Sequence, residues 1–314
     1  MRAFLIKCVF FMILLLFIVF GGGYDYGIGV SGEKSDYMGA IVEKHKRLKS
    51  IAGRKIIFAG GSNLALGLNS ARIQDSLQVP VVNLALNAGL GLDFILNELR
   101  YTIQPGDEVV LSIEYFLTDH CSYELFTNTI SYFPEASRYA KMPKQSILDH
   151  LKHTLDKKIE KVKSNKNYLT GLFKDTVPHH SFAYKRGAFN QFGDCEGHFG
   201  IARLPYLADG GIIEYSHWNN IDRLNSFYGF AKSKHVKVYF TYPSYPMSQY
   251  LLNIETIKHL DRDLHKELLF PVLGGPADFV FDDNLFFDTV YHLSKEGREK
   301  RTEKVIQLLK KRQG

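Results

Sequence analysis

The chain has 314 residues, with 39 Lys and Arg against 33 Asp and Glu and a formal charge of +6. This length holds one large α/β domain plus a tail, and a hydrophobic content of 45% is that of a globular protein. The modest charge, with no basic stretch interleaved with aromatics, argues against nucleic acid as a partner.

Arg2 and Lys7 precede an apolar run over residues 8–20, and Gly21, Gly22 and Gly23 follow it. With Lys7 snorkelling and the glycines counted, residues 4–23 predict a single-pass signal anchor in the inner membrane. A cleaved signal peptide is the alternative, although no small-x-small site follows the run. Positive residues ahead of the run place everything after Gly23 outside the cytoplasm, on the periplasmic or cell-surface side. Residues 24–53 read as a juxtamembrane stalk with a helix over 37–49, and residues 54–314 as the folded domain.

That domain opens with a short apolar strand over 55–59. A helix is predicted over 70–78, a strand over 81–84 and a helix over 92–103, with Asp93 near its start favouring the helix dipole. Pro105, Gly106 and Asp107 turn the chain into a third strand over 108–113. Strands alternating with helices imply a parallel sheet with right-handed crossovers and helices on both faces, a three-layer α/β fold. The pattern breaks over 117–215, which reads as a long insertion forming a lid over the strand ends. Within it, 145–162 reads as a basic amphipathic helix. A solvated face is the simple account of it, and contact with anionic lipid or polysaccharide is the other. The core resumes with a helix over 218–233, a strand over 236–241 and a rigid Pro-containing loop over 242–246. A helix over 254–268, a short strand over 270–273 and a final helix over 295–311 complete it.

Chemistry concentrates at three places. Gly60, Gly61 and Ser62 put a hydroxyl on a tight turn where the first strand ends, and glycines there turn without Cβ clashes. In an open α/β sheet that edge is where ligands bind. Far downstream, Asp288 and His292 form the most suggestive acid–histidine pair. A serine, a histidine to take its proton and an aspartate to hold the imidazole make a Ser-His-Asp constellation. Asp288 also suits a helix cap or turn, and Ser62 a turn bonded to its own backbone.

Ser62 in its Gly-Gly-Ser-Asn turn, the strand over 81–84 running to Asn87, Gly89 and Gly91, and His292 near the end resemble the three blocks of the SGNH (GDSL-type) hydrolase superfamily. The likeness covers roughly residues 54–114 and 235–310. It is similar in particular to membrane-anchored members that act in bacterial surface-polysaccharide O-acylation. The resemblance implies an SGNH/flavodoxin-like sheet, Ser62 as nucleophile, His292 as base, and the N–H groups of Ser62 and Gly89 as oxyanion donors. Two positions depart from the family pattern. The third block ends in Glu114 where an oxyanion-hole Asn is usual, with Asn63 or Asn87 as nearby replacements. Asp288 lies four residues before His292 rather than three.

The resemblance implies an extracytoplasmic acyl esterase or O-acetyltransferase acting on a cell-surface glycan. Glu114, Tyr115 and Tyr242 are the expected substrate contacts, and a membrane acyltransferase is a possible partner. The other reading is a non-catalytic module that binds glycan or partner in an acylation complex. No metal or other cofactor is expected; His179 and His180 read as an exposed loop. Cys121 and Cys195 bracket the insertion, and a bridge between them or two free thiols both fit. The 23 Phe and 18 Tyr suit core packing, with a carbohydrate-facing surface as the second use.

Overall fold

The computed structural model describes residues 36–141 and 183–312, together with Lys7, Phe10 and Phe11. Four short apolar runs form a sheet: β1 (Ile56–Gly60), β2 (Val81–Asn83), β3 (Glu108–Ser112) and β4 (Lys237–Thr241). Their order is β2-β1-β3-β4, and every pair is parallel. Ile56 stands opposite both Val81 and Glu108, and Glu108 opposite Lys237, so all four strands end on one edge. The first three are buried along their whole length, as parallel strands covered on both faces are.

Helices flank this sheet. They are α1 (Ile41–Ser50), α2 (Ser62–Ala65), α3 (Ser70–Leu77), α4 (Gly91–Thr102), α5 (Tyr123–Tyr132), α6 (Asn220–Ser233), α7 (Met247–Leu252), α8 (Ile254–Glu267) and α9 (Lys295–Lys311). Helix α3 packs on α9, and α4 on α6. Local chemistry sets several of their ends. Asn69 caps α3 by accepting from the Arg72 N–H, and Gln78 closes it in a left-handed conformation. Ser294 caps α9 by accepting from the Gly297 N–H. The fold is thus α/β, with a four-stranded parallel sheet among helices, as the alternation of patterns predicts.

Three expectations need correction. The helix expected in a stalk packs instead into the domain: Tyr37, Met38, Ile41 and Leu48 lie in the hydrophobic core. The Lys44 ammonium is buried there, donating to the carbonyls of Asn83 and Gly193, and burial lowers its pKa to about 8. The described parts of the 117–215 insertion are also structural. Asn83 N–H donates to Phe192 O, and the buried Asp194 carboxylate accepts from the Ser70 N–H, the Ser70 hydroxyl and the Asn83 amide. Burial drives the Asp194 pKa up despite those bonds. The stretch over 270–273 makes only a single bridge, from Val272 to Phe240. A short parallel pair, β5 (Tyr245–Pro246) with β6 (Val280–Phe281), was not legible in the pattern.

Cys121 and Cys195 are both buried and unpaired, and burial pushes their thiols up to about 12 and about 11. The chain divides into two units, residues 1–34 and residues 35–314. Among the described residues no helix is long and apolar enough to cross a membrane. The expected anchor lies outside them except for Lys7, Phe10 and Phe11, as do residues 24–35, the basic helix over 145–162, and His179 and His180.

Candidate active site at the strand ends

β1 ends in Gly60, and Gly61 carries the chain into α2, whose first residue is Ser62. Gly61 is required by its neighbours: a Cβ added there would lie 2.3 and 2.6 Å from the two Glu114 carboxylate oxygens and 2.7 Å from the Ala88 Cβ. Ser62 is half-buried. Among the described residues, neither its Oγ nor its backbone N–H has a hydrogen-bond partner.

The next residue holds the turn in place. Asn63 is fully buried, and its N–H donates to Glu114 Oε1 at 3.1 Å. Its amide donates to Ser112 O at 3.1 Å. The Arg301 guanidinium reaches in from α9 and donates to Asn63 O, Asn63 Oδ1 and Ser112 Oγ. Arg301 has no solvent exposure; burial lowers its pKa to about 9 while the nearby Glu114 charge works the other way. Asn63 therefore serves the scaffold and presents no donor to a ligand.

The second block lies where β2 ends. Gly89 N–H donates to Asn87 Oδ1 at 2.8 Å, so this expected oxyanion donor is already engaged. The Asn87 side-chain NH2 has no partner among the described residues. Of the two asparagines expected to replace the third oxyanion donor, Asn87 alone keeps a donor to offer.

The Asp288–His292 pair forms despite its four-residue spacing. Phe287 N–H donates to His292 O, which folds the segment back on itself and aims Asp288 at the ring. The Nδ1 of His292 lies 2.9 Å from Asp288 Oδ1. The Tyr184 hydroxyl donates to Asp288 Oδ2 and lies 2.9 Å from the same Nδ1. With Asp288 accepting from Nδ1–H, the Nε2 is left as the basic nitrogen. Burial alone would raise the Asp288 pKa, but the His292 bond and charge and the Tyr184 hydroxyl outweigh it and hold the carboxyl below its ordinary value. Burial, then the Asp288 charge, drives the Tyr184 hydroxyl far up, so it stays a donor. The chain over 204–208 braces the loop: Leu204 N–H donates to Phe287 O, Ala208 N–H to Asp288 O, and Val290 N–H to Ala208 O. Behind it, His198 donates from Nε2 to Leu293 O, and burial lowers its pKa to about 4.

Tyr37 lies between these segments, its ring edge-on to Tyr184 at 5.8 Å. Its hydroxyl donates to Leu86 O at the end of β2, and the charges of both Glu114 and Asp288 bear on it. The turn carrying Ser62 and the β2 loop meet at one sheet edge, and Tyr37, bonded to Leu86 O, packs on the Tyr184 that bonds Asp288. No hydrogen bond joins Ser62 Oγ to His292 among the described residues.

The expected substrate contacts divide. Glu114 sits at the turn. Tyr242 does not: it is buried against α8, with its hydroxyl donating to Asp261. Tyr115 is buried too, with its ring edge-on to Tyr245 at 5.2 Å. Both correct the expectation of substrate contacts at Tyr115 and Tyr242, because aromatic rings at those positions find core neighbours. Tyr184, Tyr37 and Arg301 were missed, since each comes from a segment without motif character. Arg301 lies on the buried face of α9 with Arg298, Thr302, Val305, Ile306 and Leu309, and an arginine on that face reads in sequence as solvent-facing. Among the described residues, no group of three or more His, Cys, Asp and Glu is placed to hold a metal ion.

No family model matches this chain, and no curated protein is significantly similar to it. The SGNH resemblance rests on the three blocks alone.

Proposed function

We propose that this protein is an SGNH-like serine acyl esterase or acyltransferase, with Ser62 as nucleophile, His292 as base and Asp288 as the group orienting the imidazole. The observation that carries this reading is the Asp288–His292 pair, bonded at Nδ1, in a chain whose Ser62 hydroxyl stands unbonded where β1 ends. In the proposed reaction His292 Nε2 takes the Ser62 proton as Oγ attacks an ester carbonyl. Ser62 becomes acylated and the alcohol leaves with the proton from Nε2. Water or a second hydroxyl then reverses these transfers. Asp288 and Tyr184 hold the ring and offset its positive charge. Ser62 N–H and the Asn87 amide are the available oxyanion donors, each worth about 3 kcal/mol in a transition state. The resemblance further suggests a small acyl group on a cell-surface glycan. The apolar run after Arg2 and Lys7 suggests an extracytoplasmic domain held at the membrane.

A second reading has its own support. Glu114 Oε1 accepts the Asn63 N–H beside the nucleophile, and Gly89 N–H is turned onto Asn87. An acceptor where a donor is usual favours a binding module that retains the fold. An acetyl-ester assay on the parent, Ser62→Ala and His292→Ala proteins separates the two. Turnover lost equally in both variants supports catalysis; turnover absent from the parent, or unchanged in the variants, supports the binding module.

A further inference from the structure

β4 is an outer strand of the sheet, and only part of its free edge is covered. In a parallel ladder the backbone groups of alternate residues face alternate sides of the strand. Lys237 N–H donates to Asp107 O, toward β3. Phe240 faces the other way: its N–H donates to Pro271 O at 2.9 Å, and its carbonyl accepts from the Leu273 N–H at 2.7 Å. Two residues earlier, Val238 turns its N–H and C=O to that same free side. The Val236 C=O also points there, because it is trans to the Lys237 N–H. None of these three groups has a partner among the described residues. Ahead of Pro271 the chain bonds elsewhere, with Leu269 N–H donating to Asn225 Oδ1.

An open groove of about 410 Å³ runs along this uncovered stretch, lined among others by Val236, Val238, Tyr228, Tyr239, Lys232 and Lys237. No Asp or Glu is among the described residues that line it. Lys232 and Lys237 are exposed, and neither has an ion-pair partner among the described residues. Lys232 Nζ stands 6.0 Å from the Tyr228 ring centroid, at the groove wall. Three residues of an added parallel strand, rising about 3.3 Å each, would meet all the open backbone groups. The first would donate to Val236 O and accept from Val238 N–H, and the third would donate to Val238 O. A second copy of this chain would bring the same cations to the edge, and lysine on an edge strand works against such self-pairing. A segment with carboxylates meets opposite charge there instead. Main-chain bonds would hold it, and the two lysines would select it.

We propose that the open edge of β4 binds an extended acidic segment of a partner protein, which adds to the sheet as a parallel strand with its carboxylates on Lys232 and Lys237. The groove lies at the start of β4, whereas Ser62 follows the end of β1, so the two sites share no residue.

The test is a titration of the full-length chain labelled with 15N-valine, in which Val238→Ile identifies the Val238 amide resonance. The probes are capped pentapeptides in which glutamate alternates with valine, isoleucine or tyrosine. Three controls accompany them: the same peptides with lysine for glutamate, the same peptides N-methylated throughout, and glutarate. At least one acidic peptide should shift the Val238 amide saturably and slow its hydrogen exchange by about tenfold or more. Its affinity should fall about tenfold in a Lys232→Gln/Lys237→Gln protein whose other valine resonances are unchanged, and it should weaken with added salt. The proposal is overturned if no acidic peptide moves that resonance, or if the affinity survives in the double variant. Equal binding of the lysine peptides would remove the charge selection, and equal binding of the N-methylated peptides or of glutarate would remove the added strand. A Val238 amide that moves with protein concentration alone would assign the edge to a second copy and overturn the proposal as well.

Discussion

Replacing Gly61 by Ala places a methyl group where the structure has no room for one. The new Cβ would stand 2.3 and 2.6 Å from the Glu114 oxygens and 2.7 Å from the Ala88 Cβ. The carboxylate is the far end of a side chain, but moving it breaks the bond to Asn63 N–H. Ala88 has no flexible end, so the β2 loop must retreat with its backbone. Overpacking of this kind costs about 1–3 kcal/mol, and a lost bond to a charged acceptor about as much again. Because relief of one contact partly relieves the other, a combined loss of about 3 kcal/mol is expected. For a domain of this size that lowers the melting temperature by about 6–12 °C. Displacement of the Ser62 turn by about 1 Å should also cost on the order of a hundredfold in acyl turnover. Gly229, on the exposed face of α6 with nothing within 4 Å of its Cβ position, is the control. There the same substitution removes backbone freedom and should stabilise by up to about 1 kcal/mol. Thermal melts of the two variants should therefore move in opposite directions. In a Glu114→Ala background two of the three close contacts disappear, and the cost of Gly61→Ala should shrink. A Gly61→Ala protein that melts within about 2 °C of the parent would refute the close approach of Glu114 to this turn.

Other consequences follow from the same geometry. Ser62→Ala and His292→Ala should reduce acetyl-ester turnover to the same residual level, because members of a triad act as a unit; a His292→Ala enzyme retaining most of the activity would contradict the assignment. Tyr184→Phe removes the hydroxyl bonded to Asp288 while leaving the ring, and should lower kcat/KM about tenfold with a shifted pH profile. An unchanged profile would make Tyr184 a packing residue only. His198 is held neutral in the fold down to about pH 4, against an ordinary value of 6.5. Between those values the unfolded chain binds a proton that the folded chain refuses, so stability falls as pH drops from about 6.5 to about 4. The loss is at most about 3 kcal/mol at 1.36 kcal/mol per unit. His198→Gln, which keeps a donor for Leu293 O, should flatten this acid slope in melts between pH 7 and pH 4, and identical slopes would show that His198 is not the group responsible.

Much of the sheet was legible because its strands are short apolar runs bounded by strong punctuation. Pro105, Gly106 and Asp107 announce β3, and the regular spacing over 92–103 announces α4. The turn carrying Ser62 and the pairing of Asp288 with His292 were legible because chemistry and turn coincide there. It was not legible where a residue's role depends on a contact far along the chain. Tyr184 and Arg301 reach Asp288 and Asn63 across 104 and 238 positions, distances over which periodicity carries no information. Residues 24–53 were read as a juxtamembrane stalk because the stretch is polar, yet Lys44 and His45 within it are buried. Their burial depends on partners elsewhere, the carbonyls of Asn83 and Gly193 and the Glu98 carboxylate at 2.8 Å from His45. Tyr242 misled in the opposite way: it directly follows β4 at the strand ends, but its hydroxyl donates inward to Asp261.

The central claim is that His292 activates Ser62 for attack on an electrophile. The most direct test exposes the full-length protein to a fluorophosphonate and locates the adduct by peptide mass spectrometry. The account predicts a single covalent adduct on Ser62 that forms in the parent, is absent from Ser62→Ala, and is slowed at least about a hundredfold in His292→Ala. No adduct on Ser62 in the parent, or equal labelling of Ser62 with and without His292, would contradict it.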